Sequence, residues 1–108
     1  MNLISRDELH EKLNRDEDFK LVMTLGAFAF NAKHIPGSLN ITSPGEAAAG
    51  LDPGDEIVVY CSDVACVASI YAYRALEQAG FTNVRRYAGG ITDWESAGYP
   101  LEGNDAQN

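Results

Sequence analysis

The feature that most restricts the fold is the run Glu56-Ile57-Val58-Val59-Tyr60, which ends in Cys61 and passes through residues 62–66 into a helical pattern. Its β-branched and aromatic residues are apolar on both faces, which places the strand centrally in a parallel sheet with helices on each side. Residues 67–79 carry Ala68, Tyr71, Ala72, Ala75, Leu76 and Ala79 along one helical face, and Gly80 stops the helix. Upstream, Ser5-Arg6-Asp7-Glu8 forms a capping box for a helix over residues 6–14. Leu21, Val22 and Met23 mark a short buried strand within residues 20–25, and residues 27–32 are helical. His34-Ile35-Pro36-Gly37 is a defined turn into an extended piece at residues 39–41, and Ser43-Pro44-Gly45-Glu46 starts another short helix. A further strand spans residues 83–87, and Gly89-Gly90 turns into a helix containing Trp94. Strands alternating with helices predict an α/β fold: a central, mostly parallel sheet of four or five short strands with helices on both faces. Residues 1–102 form the single domain and residues 103–108 a flexible tail.

Charge narrows the partners. Among 108 residues, sixteen acidic against eight basic side chains leave a formal charge of −8. Nucleic acid and anionic membrane surfaces both require a positive footprint, so neither is expected as a partner. No apolar run approaches the ~20 residues of a membrane span, and the N-terminus turns acidic too soon for a signal peptide. A cytoplasmic protein is expected, monomeric or weakly dimeric. Its two cysteines would then sit in a reducing compartment, where thiols serve chemistry more often than cross-linking.

Cys61 holds the position that matters most. A cysteine at the carboxyl end of a central parallel strand, ahead of a helix, lies where open α/β sheets place ligands. Unpaired amides of the loop and first helical turn, with the helix dipole, favour its thiolate and hence a nucleophilic sulfur. The same ring of amides suits a terminal persulfide or a bound oxyanion. A small buried residue closing a strand would occupy the same position, and placement by itself does not separate the two.

Other pieces lie in a telling order. They are His34-Ile35-Pro36-Gly37-Ser38-Leu39-Asn40, the strand ending in Cys61, Ala79-Gly80-Phe81-Thr82-Asn83-Val84, Gly89-Gly90-Ile91-Thr92-Asp93-Trp94 and Ala97-Gly98-Tyr99-Pro100-Leu101. With this order and spacing the chain resembles a single-domain rhodanese over about residues 3–102. The resemblance implies a sulfurtransferase in which Cys61 accepts a sulfane sulfur, becomes a persulfide and passes the outer sulfur to a thiol acceptor. It also implies that the backbone N–H groups of Ser62, Asp63, Val64, Ala65 and Cys66 cradle the anion. Two-step covalent transfer of this kind gives ping-pong kinetics and needs no cofactor.

The chain departs from the family pattern at two places. Where relatives commonly end the loop in Arg stands Cys66, and the loop adds an acid, Asp63, with no Lys or Arg. Without a bidentate cation the expected donor is a small persulfide or polysulfide, or a protein persulfide, rather than free thiosulfate. Phosphoryl transfer is disfavoured for the same reason. Upstream, Met23 and Leu25 stand where relatives often carry an Asp and an Arg.

Cys66 itself has two readings. As a resolving thiol it would close a disulfide with Cys61 or release sulfide from a persulfide. As an inert small residue it would pack inward from the first helical turn, which is the reading preferred here. Two functions compete with sulfur transfer: a non-catalytic interaction module, and a Cys61/Cys66 redox switch. The cysteines with His10 and His34 lack the spacing of a zinc site, so no metal is expected. His34 is read as holding the turn and His10 as solvated; Trp94, Tyr87 and Phe81 are core anchors. Of Arg85 and Arg86, alternation along a strand lets at most one face the loop.

Overall fold

Every residue of β3 (Ile57–Tyr60) is buried, and the strand lies between β1 (Lys20–Met23) and β4 (Val84–Tyr87). The computed structural model describes residues 1–106. With β2 (Leu39–Asn40) at one edge, the sheet runs in the order β2-β1-β3-β4 and every pairing is parallel. Among the described residues its four strands fall within the expected four or five. Register places Val22 beside Val59 and Val59 beside Arg86, and in the next row Met23 beside Tyr60 and Tyr60 beside Tyr87.

Among the described residues, five helices cover both faces: α1 (Arg6–Asn14), α2 (Ala27–Ala32), α3 (Pro44–Gly50), α4 (Ala68–Gln78) and α5 (Gly90–Ser96). Strand alternation sorts the apolar residues into two cores. Leu21, Met23, Val58, Tyr60 and Tyr87 pack against Leu9, Ile91 and Trp94. Val22, Ile57, Val59 and Val84 pack against Ala47, Tyr73, Leu76 and Phe81. Fully burying each such aliphatic side chain is worth about 1.5–3 kcal/mol, which is why so short a strand as β3 can anchor the sheet.

The capping box forms as expected, with Glu8 N–H donating to Ser5 Oγ at 3.1 Å. One local expectation changes. The buried stripe of α4 is Ser69, Tyr73 and Leu76, whereas Tyr71 is 65% exposed. Ala68, Tyr71, Ala72, Ala75 and Ala79 instead line an apolar groove of about 300 Å³ between α4 and α3. Periodicity located the apolar side of the helix, but the short α3 does not close over it. Residues 104–106 lie against α2 and the core. Asn104 and Asp105 N–H groups donate to the carbonyls of Asn31 and Ala32, at 2.8 and 2.9 Å, and Ala106 packs on the core. Residues 107–108 of the expected tail lie outside the described residues.

Candidate active site around Cys61

The odd-numbered side chains of β3 point toward α4, and Cys61, the next residue, continues that alternation at the sheet's carboxyl end. The following loop is fixed from the other side by α5. Ile91 N–H donates to the Cys61 carbonyl at 3.0 Å and Thr92 N–H to the Ser62 carbonyl at 2.9 Å. The loop therefore rests against the α5 N-terminus, whose orphan amides it satisfies.

Cys61 and Cys66 are joined as a disulfide, with Cα atoms 6.5 Å apart. That separation lies within the ordinary range for a bridge, because the curled loop brings its first and last residues together. Cys66 is thus a partner of Cys61, which corrects the preferred reading of it as an inert, inward-packed residue. Cys61 is 1% exposed, whereas Cys66 is partly exposed, so a thiol arriving from solvent meets Cys66 first.

The expected five-amide cradle is incomplete. Ala65 N–H donates to Asp63 Oδ1 at 3.0 Å and Cys66 N–H to the Asp63 carbonyl at 3.1 Å. Asp63 bends the loop into an Asx-type turn that engages both groups. Among the described residues, the N–H groups of Ser62, Asp63 and Val64 have no protein partner, and no loop amide donates to the Cys61 sulfur. That sulfur instead lies 3.4 Å from Ser69 Oγ and 3.6 Å from the Cys66 carbonyl.

Ser69 was not singled out from sequence, although a serine inside the buried stripe of a helix is a usable signal. Behind it stands Arg86, whose Nε–H donates to Ser69 Oγ at 2.8 Å. Of the two adjacent arginines, Arg86 faces the loop side of the sheet. Arg85 turns to α1, where its Nη1 and Nη2 meet Glu8 at 2.7 and 3.1 Å. The rim of the loop is apolar and exposed at Val64 and Val67.

Neither histidine reaches the loop sulfur. His34 holds the turn, as expected. Its Nδ1–H donates to the Phe30 carbonyl at 2.7 Å, its ring stacks on Phe30 at 4.0 Å, and its backbone bridges to Glu102. His10 differs from the expectation of simple solvation, because its ring stacks on Tyr99 at 3.7 Å. Trp94, Tyr87 and Phe81 are buried in the cores, and Tyr87 donates to Asp93 Oδ2 at 2.7 Å. Burial, then Asp93, pushes the Tyr87 hydroxyl well above its ordinary value.

Fold and site together define a parallel α/β domain with a cysteine-bearing loop between its central strand and the next helix. The chain belongs to the rhodanese-like domain family, whose sequence profile matches residues 5–97. The BH2092 protein of Bacillus halodurans has the same fold, with a TM-score of 0.89 at 24% identity over 97% of this chain and 79% of that one. So does the rhodanese-like domain of the Alr3790 protein from Anabaena sp., at a TM-score of 0.84 and 24% identity over 97% and 81%. A thiosulfate sulfurtransferase from Pseudomonas aeruginosa matches at a TM-score of 0.82 and 20% identity, over 99% of this chain and 21% of that enzyme. No curated protein matches the chain. Among the described residues, no helix is long and apolar enough to cross a membrane.

Proposed function

We propose that the protein is a sulfurtransferase in which the reduced form of Cys61 carries a sulfane sulfur as a persulfide. The observation that carries this reading is the place of Cys61, at the carboxyl end of β3 beside the first turn of α4, in a chain of the rhodanese-like family. The Pseudomonas thiosulfate sulfurtransferase, with the same fold, supports the reaction class. In the first half-reaction the Cys61 thiolate attacks the outer sulfur of a persulfide R–S–SH, the S–S bond breaks, and RS⁻ leaves. In the second, an acceptor thiolate attacks the terminal sulfur of Cys61–S–SH and releases the Cys61 thiolate. Atoms and electrons balance without an external oxidant.

The loop supports a persulfide or polysulfide donor over thiosulfate. Residues 62–66 include no cation, and Asp63 adds a carboxylate. A dianionic donor would meet no charge-assisted anchor there, while Val64 and Val67 suit an uncharged or protein-borne donor. The decisive experiment is transfer from a small persulfide to a thiol acceptor at varied concentrations of both. Parallel double-reciprocal lines, with transfer abolished by Cys61→Ser, bear the proposal out; intact transfer in that variant overturns it.

The closed Cys61–Cys66 pair favours a second reading, a dithiol switch. Under it, thiol reagents open and close the bond reversibly, and no sulfur accumulates on the reduced protein.

A further inference from the structure

Arg86 is a buried cation without a counter-ion. It is 7% exposed, and among the described residues no carboxylate forms an ion pair with it. Burying an unpaired guanidinium is unfavourable, and a fold that tolerates one usually supplies charge or hydrogen bonds by another route. Here the route leads to the reacting sulfur. Arg86 stands beside Val59 in the register, two residues before Cys61, and its side chain runs toward α4. Its Nε–H donates to Ser69 Oγ at 2.8 Å, and that oxygen lies 3.4 Å from Cys61 Sγ. A serine hydroxyl has one proton. Because its oxygen accepts from Arg86, the proton is free to point at the sulfur. The guanidinium polarises that hydroxyl, and a chain of such bonds is stronger than either alone.

We infer that Ser69 holds Cys61 as a thiolate through a direct hydrogen bond, and that Arg86 is the positioning residue that orients and polarises Ser69. The pair takes over part of what the loop amides were expected to do, since two of those are bound to Asp63. It acts at two moments. When Cys61 attacks a persulfide, the pair favours the ionised nucleophile. When a thiolate attacks the more exposed Cys66, a new S–S bond forms to Cys66 and the Cys61–Cys66 bond breaks. Cys61 then departs as a thiolate onto the Ser69 hydroxyl, and a better-stabilised leaving thiolate leaves faster. Other charged groups near the site are already engaged. Asp63 is held by the Ala65 amide, and Asp93 on α5 by Tyr87 and Arg6.

This inference rests on the proposed role of Cys61 as a thiolate, and its test reads ionisation rather than sulfur transfer. In a Cys66→Ser background only Cys61 titrates as a thiol, and its thiolate absorbance is followed against pH. Loss of a hydrogen bond to a charged group raises the titration midpoint by about one pH unit in Ser69→Ala, a tenfold loss of thiolate below it. Arg86→Met raises it likewise, and Arg86→Lys, which keeps the charge, raises it less. If Arg86→Met fails to fold, Ser69→Ala and Arg86→Lys carry the test. A folded Ser69→Ala protein that titrates like its parent overturns the inference. Intact mass after exposure to a persulfide separates the two ideas: a midpoint shift without sulfur uptake in the parent leaves the relay standing and removes the transfer function.

Discussion

The amide of Ile91 donates to the Cys61 carbonyl at 3.0 Å, fastening the start of the loop to the first turn of α5. Such close approach is possible because the residue before Ile91 is glycine. Gly90 has φ +66°, and a Cβ there would stand 2.8 Å from the Ser62 carbonyl carbon. Gly98 has φ +79° but open space around it. Gly98→Ala therefore costs about 1–2 kcal/mol from backbone strain alone, and Gly90→Ala costs more because the loop must also shift. Thermal unfolding of both variants checks the difference. Equal losses would show that the α5 contact does not constrain the loop.

Replacing the cysteine at the loop's end tests the donor preference. Cys66→Arg gives the loop the cation it lacks, at a partly exposed position. One charge-assisted hydrogen bond contributes about 1.5–3 kcal/mol, so kcat/KM with thiosulfate should rise roughly tenfold or more. A steady-state assay with thiosulfate as sole donor decides the matter. An unchanged or lower rate would mean that something other than missing charge limits thiosulfate use.

Tyr60 predicts a response to alkali. Its hydroxyl accepts from Ile35 N–H at 3.0 Å and pairs with Ser38 Oγ at 2.9 Å, tying the His-Ile-Pro-Gly turn to β3. Burial pushes it up to about 12, against the opposing effect of Ser38 and Ile35, from an ordinary value of 10.0. Because the folded value is the higher one, the contribution is complete below pH 10 and is lost as pH rises towards 12. Tyr60→Phe should be less stable at neutral pH by about 1–3 kcal/mol, since it leaves the Ile35 N–H unpaired. It should also fall less steeply over the alkaline window. Denaturant midpoints measured against pH check both, and parallel curves for the two proteins would contradict the assignment.

Acid should loosen the contact between α1 and β4. Arg85 holds the Glu8 carboxyl below its ordinary value, so the ion pair contributes above the carboxylate range and is lost as pH falls through the lowered value. Glu8→Gln should lower the melting temperature slightly at neutral pH, and the gap should close on acidification. A gap that persists when both proteins are protonated would assign the effect to packing.

Much of the fold was legible because local signals agreed with one another. The β-branched run of β3, the capping box of α1 and the glycine stops each name an element with few alternatives. The place of Cys61 followed from the same logic, as the residue where a central strand meets a helix, but its chemistry did not, since a small buried residue fits that place equally well. What sequence did not show is in part a local turn and in part contacts between distant segments. Asp63 captures the amides of Ala65 and Cys66 only once the loop has curled, so the cradle looked more complete than it is. Arg86 and Ser69 are 17 positions apart and meet only through the pairing of β4 with β3. Alternation said that one arginine of the pair could face the loop side; only the register determines that it is Arg86. Along α4, periodicity found the apolar face, and α3 is short as expected, but how the two helices pack, which leaves Tyr71 exposed, is not written in either segment.

The central claim concerns a single sulfur atom. The reduced protein is mixed with a small persulfide donor, freed of excess reagent, and weighed intact beside its Cys61→Ser and Cys66→Ser variants. The account predicts that the parent and Cys66→Ser each gain one sulfur, that an added thiol removes it, and that Cys61→Ser gains none. Uptake that follows Cys66 instead of Cys61, or no uptake by the fully reduced parent, would contradict it.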